Sequence, residues 1–171
     1  MKNYIFIGLF IILSNISYSV EYWSQPLHGY GINSIAVKDS NIFVGTSWQG
    51  IFRTTDKGIN WTRLNYNNKI HLINSLIIKG TEVFAGTLNG VFKSTDNGES
   101  WEEMNNGLTN PYINCMAYSD SIIFAGTMDG GIFKSTNNGE SWYEVNSGLT
   151  NLNICLIAIY EDVIFASSCN Y

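Results

Sequence analysis

The chain repeats itself at an interval of about forty residues, and that period restricts its folding more than any other feature. The segments IFVGT (42–46), VFAGT (83–87) and IFAGT (123–127) begin 41 and 40 residues apart, and VIFAS (163–167) starts a fourth copy. After each of the first three comes a second aromatic segment, GIFRT (50–54), GVFKS (90–94) or GIFKS (131–135), and then Trp61, Trp101 or Trp142. Ahead of each pair lies another apolar stretch: INSIAV (32–37), INSLII (73–78), INCMAY (113–118) and NICLIA (153–158). One unit therefore reads as four short strands joined by turns, and self-similarity at this period marks an array of supersecondary units. Helix signals are nearly absent, because Gly, Asn or β-branched residues interrupt every ten-residue stretch after Val20.

The strands are apolar on both faces, as Ile42-Phe43-Val44 and Ile122-Ile123-Phe124 show, whereas a sheet with one wet face alternates. Both faces must be covered, and one forty-residue sheet cannot cover itself. Stacking neighbouring sheets face to face solves this, so the expected fold is all-β: four-stranded antiparallel β-propeller blades, three full and a partial fourth, in an incomplete ring. The units run over about 28–67, 68–108, 109–149 and 150–171. Burial on both faces also explains why only 13% of the 171 residues are charged while 45% are hydrophobic. A net charge of -5 without a basic cluster excludes the electrostatic attraction on which nucleic-acid binding rests.

Between the third and fourth strands stands Ser94-Thr95-Asp96-Asn97-Gly98-Glu99-Ser100-Trp101, repeated as Thr54 to Trp61 and Ser135 to Trp142. The Asp96 carboxylate can accept backbone N–H groups of its own turn, Gly98 can adopt positive φ, and Trp101 can pack between sheets. This octapeptide resembles the Asp-box (BNR repeat) of sialidase-type propellers. The resemblance implies a structural set comprising Thr54, Asp56, Gly58, Trp61, Ser94, Asp96, Gly98, Trp101, Ser135, Asn137, Gly139 and Trp142, on the face opposite the family's active site. Asn137 replaces the aspartate in the third copy, which suits hydrogen bonding and not a role needing charge. Arg53, Lys93 and Lys134, recurring on the third strands, read as structural charges.

Sialidase chemistry needs three arginines clamping a substrate carboxylate. The chain has only Arg53 and Arg63, so that activity is rejected and no catalytic residue is assigned. The alternative is a carbohydrate-active hydrolase of the same superfamily, with paired carboxylates drawn from Asp39, Asp120, Asp129 and Asp162; aspartates in first-to-second-strand turns are expected for the turn alone. The favoured reading is a non-enzymatic binding or assembly module for a glycan or protein partner. Its candidate ligand face is formed by the loops opposite the boxes, with Trp48, Gln49, Tyr66, His71, Asn89, Tyr112 and Asp129. Against it stands a plain packing role, in which Trp48, Leu88 and Met128 share one apolar repeat position and plug the blade tops. No cofactor or metal is expected: no CxxC occurs and the two histidines are far apart.

The N-terminus has a different grammar. Lys2, the apolar run Tyr4 to Leu13 and the small residues around Ser17-Tyr18-Ser19 have the build of a signal peptide over 1–19, too short to span a bilayer. The expected location is secreted, periplasmic or cell-surface, with no membrane span after cleavage. Similar repeats occur in photosystem II assembly factors, sortilin-type receptors and secreted bacterial propeller-repeat proteins, and the signal peptide with NNGLTN (105–110) brings this chain nearest to the last group. Residues 20–27 read as a closing outer strand, with Trp23 placed like Trp61. The arc is then a truncated product of a larger propeller or a half-ring that dimerises, and its open blade edges favour self-association. Cys115 and Cys155 are read as equivalent to Ser34 and Ser75, and Cys169 as a free thiol.

Overall fold

The computed structural model describes residues 27, 29–64, 70–161 and 163–169. The expected signal peptide, the closing strand with Trp23, and Tyr66 and Asp162 lie outside these residues. Fourteen strands are present among them: β1 (Ile32–Lys38), β2 (Asn41–Thr46), β3 (Ile51–Thr54), β4 (Thr62–Leu64), β5 (Ile73–Lys79), β6 (Glu82–Thr87), β7 (Gly90–Ser94), β8 (Glu102–Glu103), β9 (Ile113–Ser119), β10 (Ile122–Thr127), β11 (Ile132–Ser135), β12 (Tyr143–Glu144), β13 (Ile154–Tyr160) and β14 (Val163–Ser168). They form three four-stranded meanders, β1-β2-β3-β4, β5-β6-β7-β8 and β9-β10-β11-β12, and the two-stranded sheet β13-β14. All pairs are antiparallel. The fold is therefore three propeller blades and part of a fourth, arranged as an open arc.

Each blade is held to the next by apolar packing. One core cluster joins Phe43, Ile51 and Leu64 of the first blade to Ile73, Leu76, Phe92 and Trp101 of the second. A second joins Phe84, Val91 and Met104 to Ile113, Phe133 and Trp142, and a third joins Cys115, Phe124 and Ile132 to Ile154 and Ile157. Trp101 and Trp142, which end their octapeptides, are thus wedges against the preceding blade. Trp142 adds a hydrogen bond from Nε1 to Met104 O at 2.8 Å. Among the described residues Trp61 packs beside Leu27, Val44 and Phe52 and stays half-buried.

Close approach of the inner strands depends on a glycine. A Cβ on Gly45, Gly86 or Gly126 would lie 2.5, 2.6 or 2.6 Å from Cγ2 of Ile73, Ile113 or Ile154 in the next blade. Beside it, Ser34 Oγ accepts the N–H of Leu76 at 2.8 Å, and Ser75 Oγ that of Met116 at 3.0 Å. In the third blade the buried Cys115 thiol holds this place against the N–H of Ile157, and burial pushes it up to about 11.

The fourth hairpin departs from the pattern and corrects the reading of the cysteines. Every inner strand begins with an irregularity, between Ile32 and Ser34, Ile73 and Ser75, and Ile154 and Leu156, with the matching shift at Thr127 in the third blade. Ile154 is therefore the counterpart of Ile32, Ile73 and Ile113, so that Cys155 stands where Asn33, Asn74 and Asn114 do. Leu156, not Cys155, occupies the position of Ser34 and Ser75, and Ser167 that of the close-approach glycines. Asn74 Nδ2 and Asn114 Nδ2 reach into the next blade, to Ile113 O at 2.9 Å and Ile154 O at 3.0 Å. Cys155 instead forms a disulfide with Cys169, so Cys169 is not a free thiol. In the first blade the same two positions, Asn33 and Ser47, share a side-chain hydrogen bond of 3.1 Å.

Candidate functional site

The octapeptide turns are closed circuits of hydrogen bonds. Ser94 Oγ donates to Asp96 Oδ1 at 2.8 Å and accepts the N–H of Gly98 at 2.8 Å and of Asp96 at 3.4 Å. Asp96 in turn accepts Ser100 N–H at 2.9 Å and Ser100 Oγ–H at 2.5 Å. Thr54 and Asp56 repeat this with Gly58 and Asn60, and Ser135 and Asn137 with Gly139 and Ser141. Two successive residues take positive φ in every copy: Lys57 and Gly58, Asn97 and Gly98, Asn138 and Gly139. The non-glycine member of each pair was not evident in the sequence.

These bonds favour the ionised carboxylates. The backbone N–H of Asn60, then Thr54 and the Asn60 side chain, lower Asp56 to about 2, and the Ser100 hydroxyl, then its backbone N–H and Ser94, lower Asp96 to about 2. Both carboxylates are engaged by their own turns. Arg53, on β3, donates to Asn97 O at 2.7 Å and pairs with Glu99 at 2.8 Å, which ties the first blade to the turn of the second.

At the opposite end lie the candidate ligand loops. Thr46, Thr87 and Thr127, each buried, close the β2–β3, β6–β7 and β10–β11 turns by donating to Gly50 O, Gly90 O and Gly131 O at 2.9 Å. Asn105 accepts Val91 N–H at 2.9 Å and donates to Asn89 O at 3.1 Å; Asn146 does the same with Ile132 and Gly130 at 2.8 and 3.1 Å. Asn110 accepts Tyr112 N–H at 2.9 Å and donates to Met128 O at 2.6 Å. The phrase NNGLTN is therefore a pair of latches, a role the sequence did not reveal. Across blades, Gly50 N donates to His71 O at 3.0 Å and Gly131 N to Leu152 O at 2.8 Å.

The candidates stand on this latched frame in separate groups. Trp48 is 69% exposed, beside Gln49, whose carbonyl accepts Arg63 Nε at 2.8 Å, and the exposed His71 adjoins the same loop. Tyr112, 44% exposed, neighbours Met128 and Asp129 through the bond from Met128 N to Tyr112 O at 2.9 Å. Asn89 is exposed on the second blade between them. Trp48 does not share a repeat position with Leu88 and Met128: the N–H of Ser47 bonds Gly31 O as that of Met128 bonds Tyr112 O, so Trp48 is displaced by one residue. A cleft of about 440 Å³ lies at the octapeptide end between the first two blades, lined by Lys38, Asp39, Asn41, Thr81, Thr95 and Asn97 over Phe43 and Val83. Among the described residues no group of three His, Cys, Asp or Glu could hold a metal ion, and no helix is long and apolar enough to cross a membrane.

No protein-family model and no curated protein matches the sequence. Solved structures do match in fold. The extracellular domain of BT4673 from B. thetaiotaomicron superposes with a TM-score of 0.69 at 17% identity, over 82% of this chain and 20% of that one. YCF48 bound to a D1 peptide gives 0.63 at 15%, over 80% and 47%. The GH74 enzyme of Niastella koreensis gives 0.60 at 20%, over 73% and 23%. This chain spans less than half the length of each of the three. All are β-propellers, and at this identity the likeness shows the fold.

Proposed function

We propose that the chain is an exported, non-enzymatic binding or assembly module whose loop face holds a glycan or an extended peptide. The observation that carries this reading is the exposure of Trp48, Tyr112 and Met128 on loops whose own amides are latched internally. Rings held on a pre-organised frame bury area on a ligand at little entropic cost. Among the described residues of these loops Asp129 is the one carboxylate, whereas hydrolysis between sugars takes two. Arg53 and Arg63 are both bonded to backbone carbonyls. Export accords with the apolar N-terminal run and with a disulfide, which persists in oxidising compartments. YCF48 carries a D1 peptide in its structure, which makes a peptide ligand a natural first probe here. The octapeptide circuits accord with Asp-box repeats used as scaffold.

Affinity capture from the native envelope or medium, alongside a glycan panel, tests the proposal with the full chain and with Trp48→Ala and Tyr112→Ala. Retention that both substitutions weaken at unchanged stability is the expected result. Retention unaffected by either, or turnover of a glycan, overturns it.

A further inference from the structure

We propose that the cleft between the first two blades, at the octapeptide end, is a binding site for one neutral hexopyranose unit. It is separate from the loop face at the opposite end of the blades and stands independently of the ligand proposed there. Lys38 and Lys79 hold the same register position at the ends of β1 and β5, opposite Asn41 and Glu82. At the second interface Lys79 crosses to the Asn138 side chain, and the Thr136 hydroxyl of that octapeptide bonds the Tyr143 hydroxyl at 2.9 Å. At the first interface Lys38 bonds Gly80 O instead. The side chains of Asn97 and Thr95, counterparts of Asn138 and Thr136, therefore line the cleft and bond no described residue. Ile78 stands at the cleft where the third blade has Tyr118, as their pairing with Val83 and Ile123 shows. A smaller side chain and a lysine tied elsewhere account for the open space at the first junction.

The chemistry of the walls selects the occupant. The buried Phe43 and Val83 and the half-buried Ile78 form an apolar floor. Around it stand the carboxylate of Asp39, the amides of Asn41 and Asn97 and the hydroxyls of Thr81 and Thr95. A sugar ring offers the complement, since each of its hydroxyls both donates and accepts while its C–H face is apolar. Charge argues against an anion: the Lys38 ammonium is matched by the adjoining Asp39 carboxylate, and the Arg53 guanidinium is engaged by Glu99 at 2.8 Å. A volume of about 440 Å³ lies within the range of about 300–1,000 Å³ usual for small-molecule sites. The walls are also pre-organised. Arg53 donates to Asn97 O at 2.7 Å, and Gly98 packs so closely that a Cβ there would lie 2.5 Å from Leu64 Cδ1. Both walls consist of described residues, and Leu27, the first of these in the chain, packs with Val44 on the face of the first blade turned away from Phe43.

Titration of the full chain with the methyl glycosides of glucose, galactose, mannose and N-acetylglucosamine, followed by saturation-transfer NMR, is the direct probe. Saturable binding of at least one is expected. Ile78→Tyr, which puts the third blade's side chain at the cleft, should weaken it at least about tenfold, or about 1.4 kcal/mol. Asn97→Gly keeps the positive φ and the carbonyl that accepts Arg53 while removing the amide, and should weaken binding about three- to tenfold. Because Asn97→Gly leaves the apolar packing intact, it carries the test if Ile78→Tyr does not fold. Failure of all four glycosides to saturate overturns the proposal. So does binding undiminished in the folded variants, which would put the sugar on the loop face, or tighter binding of glucuronate than of methyl glucoside.

Discussion

The octapeptide turns separate what a carboxylate contributes through charge from what it contributes as an acceptor. In the third turn Asn137 Oδ1 accepts Ser141 N–H at 3.0 Å, and its amide donates to Ser141 Oγ at 3.0 Å, reversing the Ser100-to-Asp96 bond. Asp96→Asn should therefore leave the thermal midpoint nearly unchanged at neutral pH, while Ser94→Ala, which removes a buried hydroxyl with three bonds, should cost about 1–3 kcal/mol. Because Asp56 and Asp96 are depressed to about 2, their contribution is present above the ordinary carboxylate range and is lost as pH falls from about 4 through 2. Acid unfolding followed by circular dichroism should show a smaller loss over that window in Asp96→Asn. Serine, aspartate and glycine in these turns were readable from spacing, because a local turn is set by local chemistry. Cys155 was not, because INC and NIC differ by one residue and only the strand irregularity decides which residue matches Ser34.

At the scale of the strand and blade, stability resides in the interfaces. Trp142, 4% exposed, wedges under the second blade and donates to Met104 O, so Trp142→Ala should cost about 3–5 kcal/mol in urea unfolding. The fourth hairpin has neither such a wedge among its described residues nor a serine at the inter-blade position, and its staple is Cys155–Cys169, closing a loop over a separation of 14 residues. Chain-entropy reasoning assigns a loop of this size about 3 kcal/mol. Reduction should therefore deprotect β13 and β14 first in hydrogen exchange, ahead of the three complete blades, and the test fails if all sheets lose protection together. Cys115, buried and raised to about 11, should remain unmodified by thiol reagents until the third blade opens. The strands themselves were legible from their repeated apolar pattern. The latches Asn105 and Asn110 were not, since their bonds join loops that the sequence cannot place side by side.

Taken whole, the arc is polar in the directional sense. Among the described residues its first blade presents the half-buried Trp61 and its last hairpin the exposed Leu156 and Phe165, so these two surfaces differ in kind. Four substitutions at these paired positions distinguish the last hairpin from the complete blades: Cys155 for asparagine, Leu156 for serine or cysteine, Ser167 for glycine and Ser168 for threonine. Ser167→Gly restores the space that Ile73, Ile113 and Ile154 use at the internal interfaces, and it should raise concentration-dependent association in sedimentation velocity relative to the unaltered chain. Equal association of the two would remove steric exclusion at Ser167 as a cause.

A repeating unit with unlike ends is the geometry from which open filaments grow, each copy adding to the last without a closing contact. The single Cβ of Ser167 sits where such growth would need empty space. On this view it acts as a steric stop: copies that share one repeat are kept from stacking on this hairpin as the next unit of the same series.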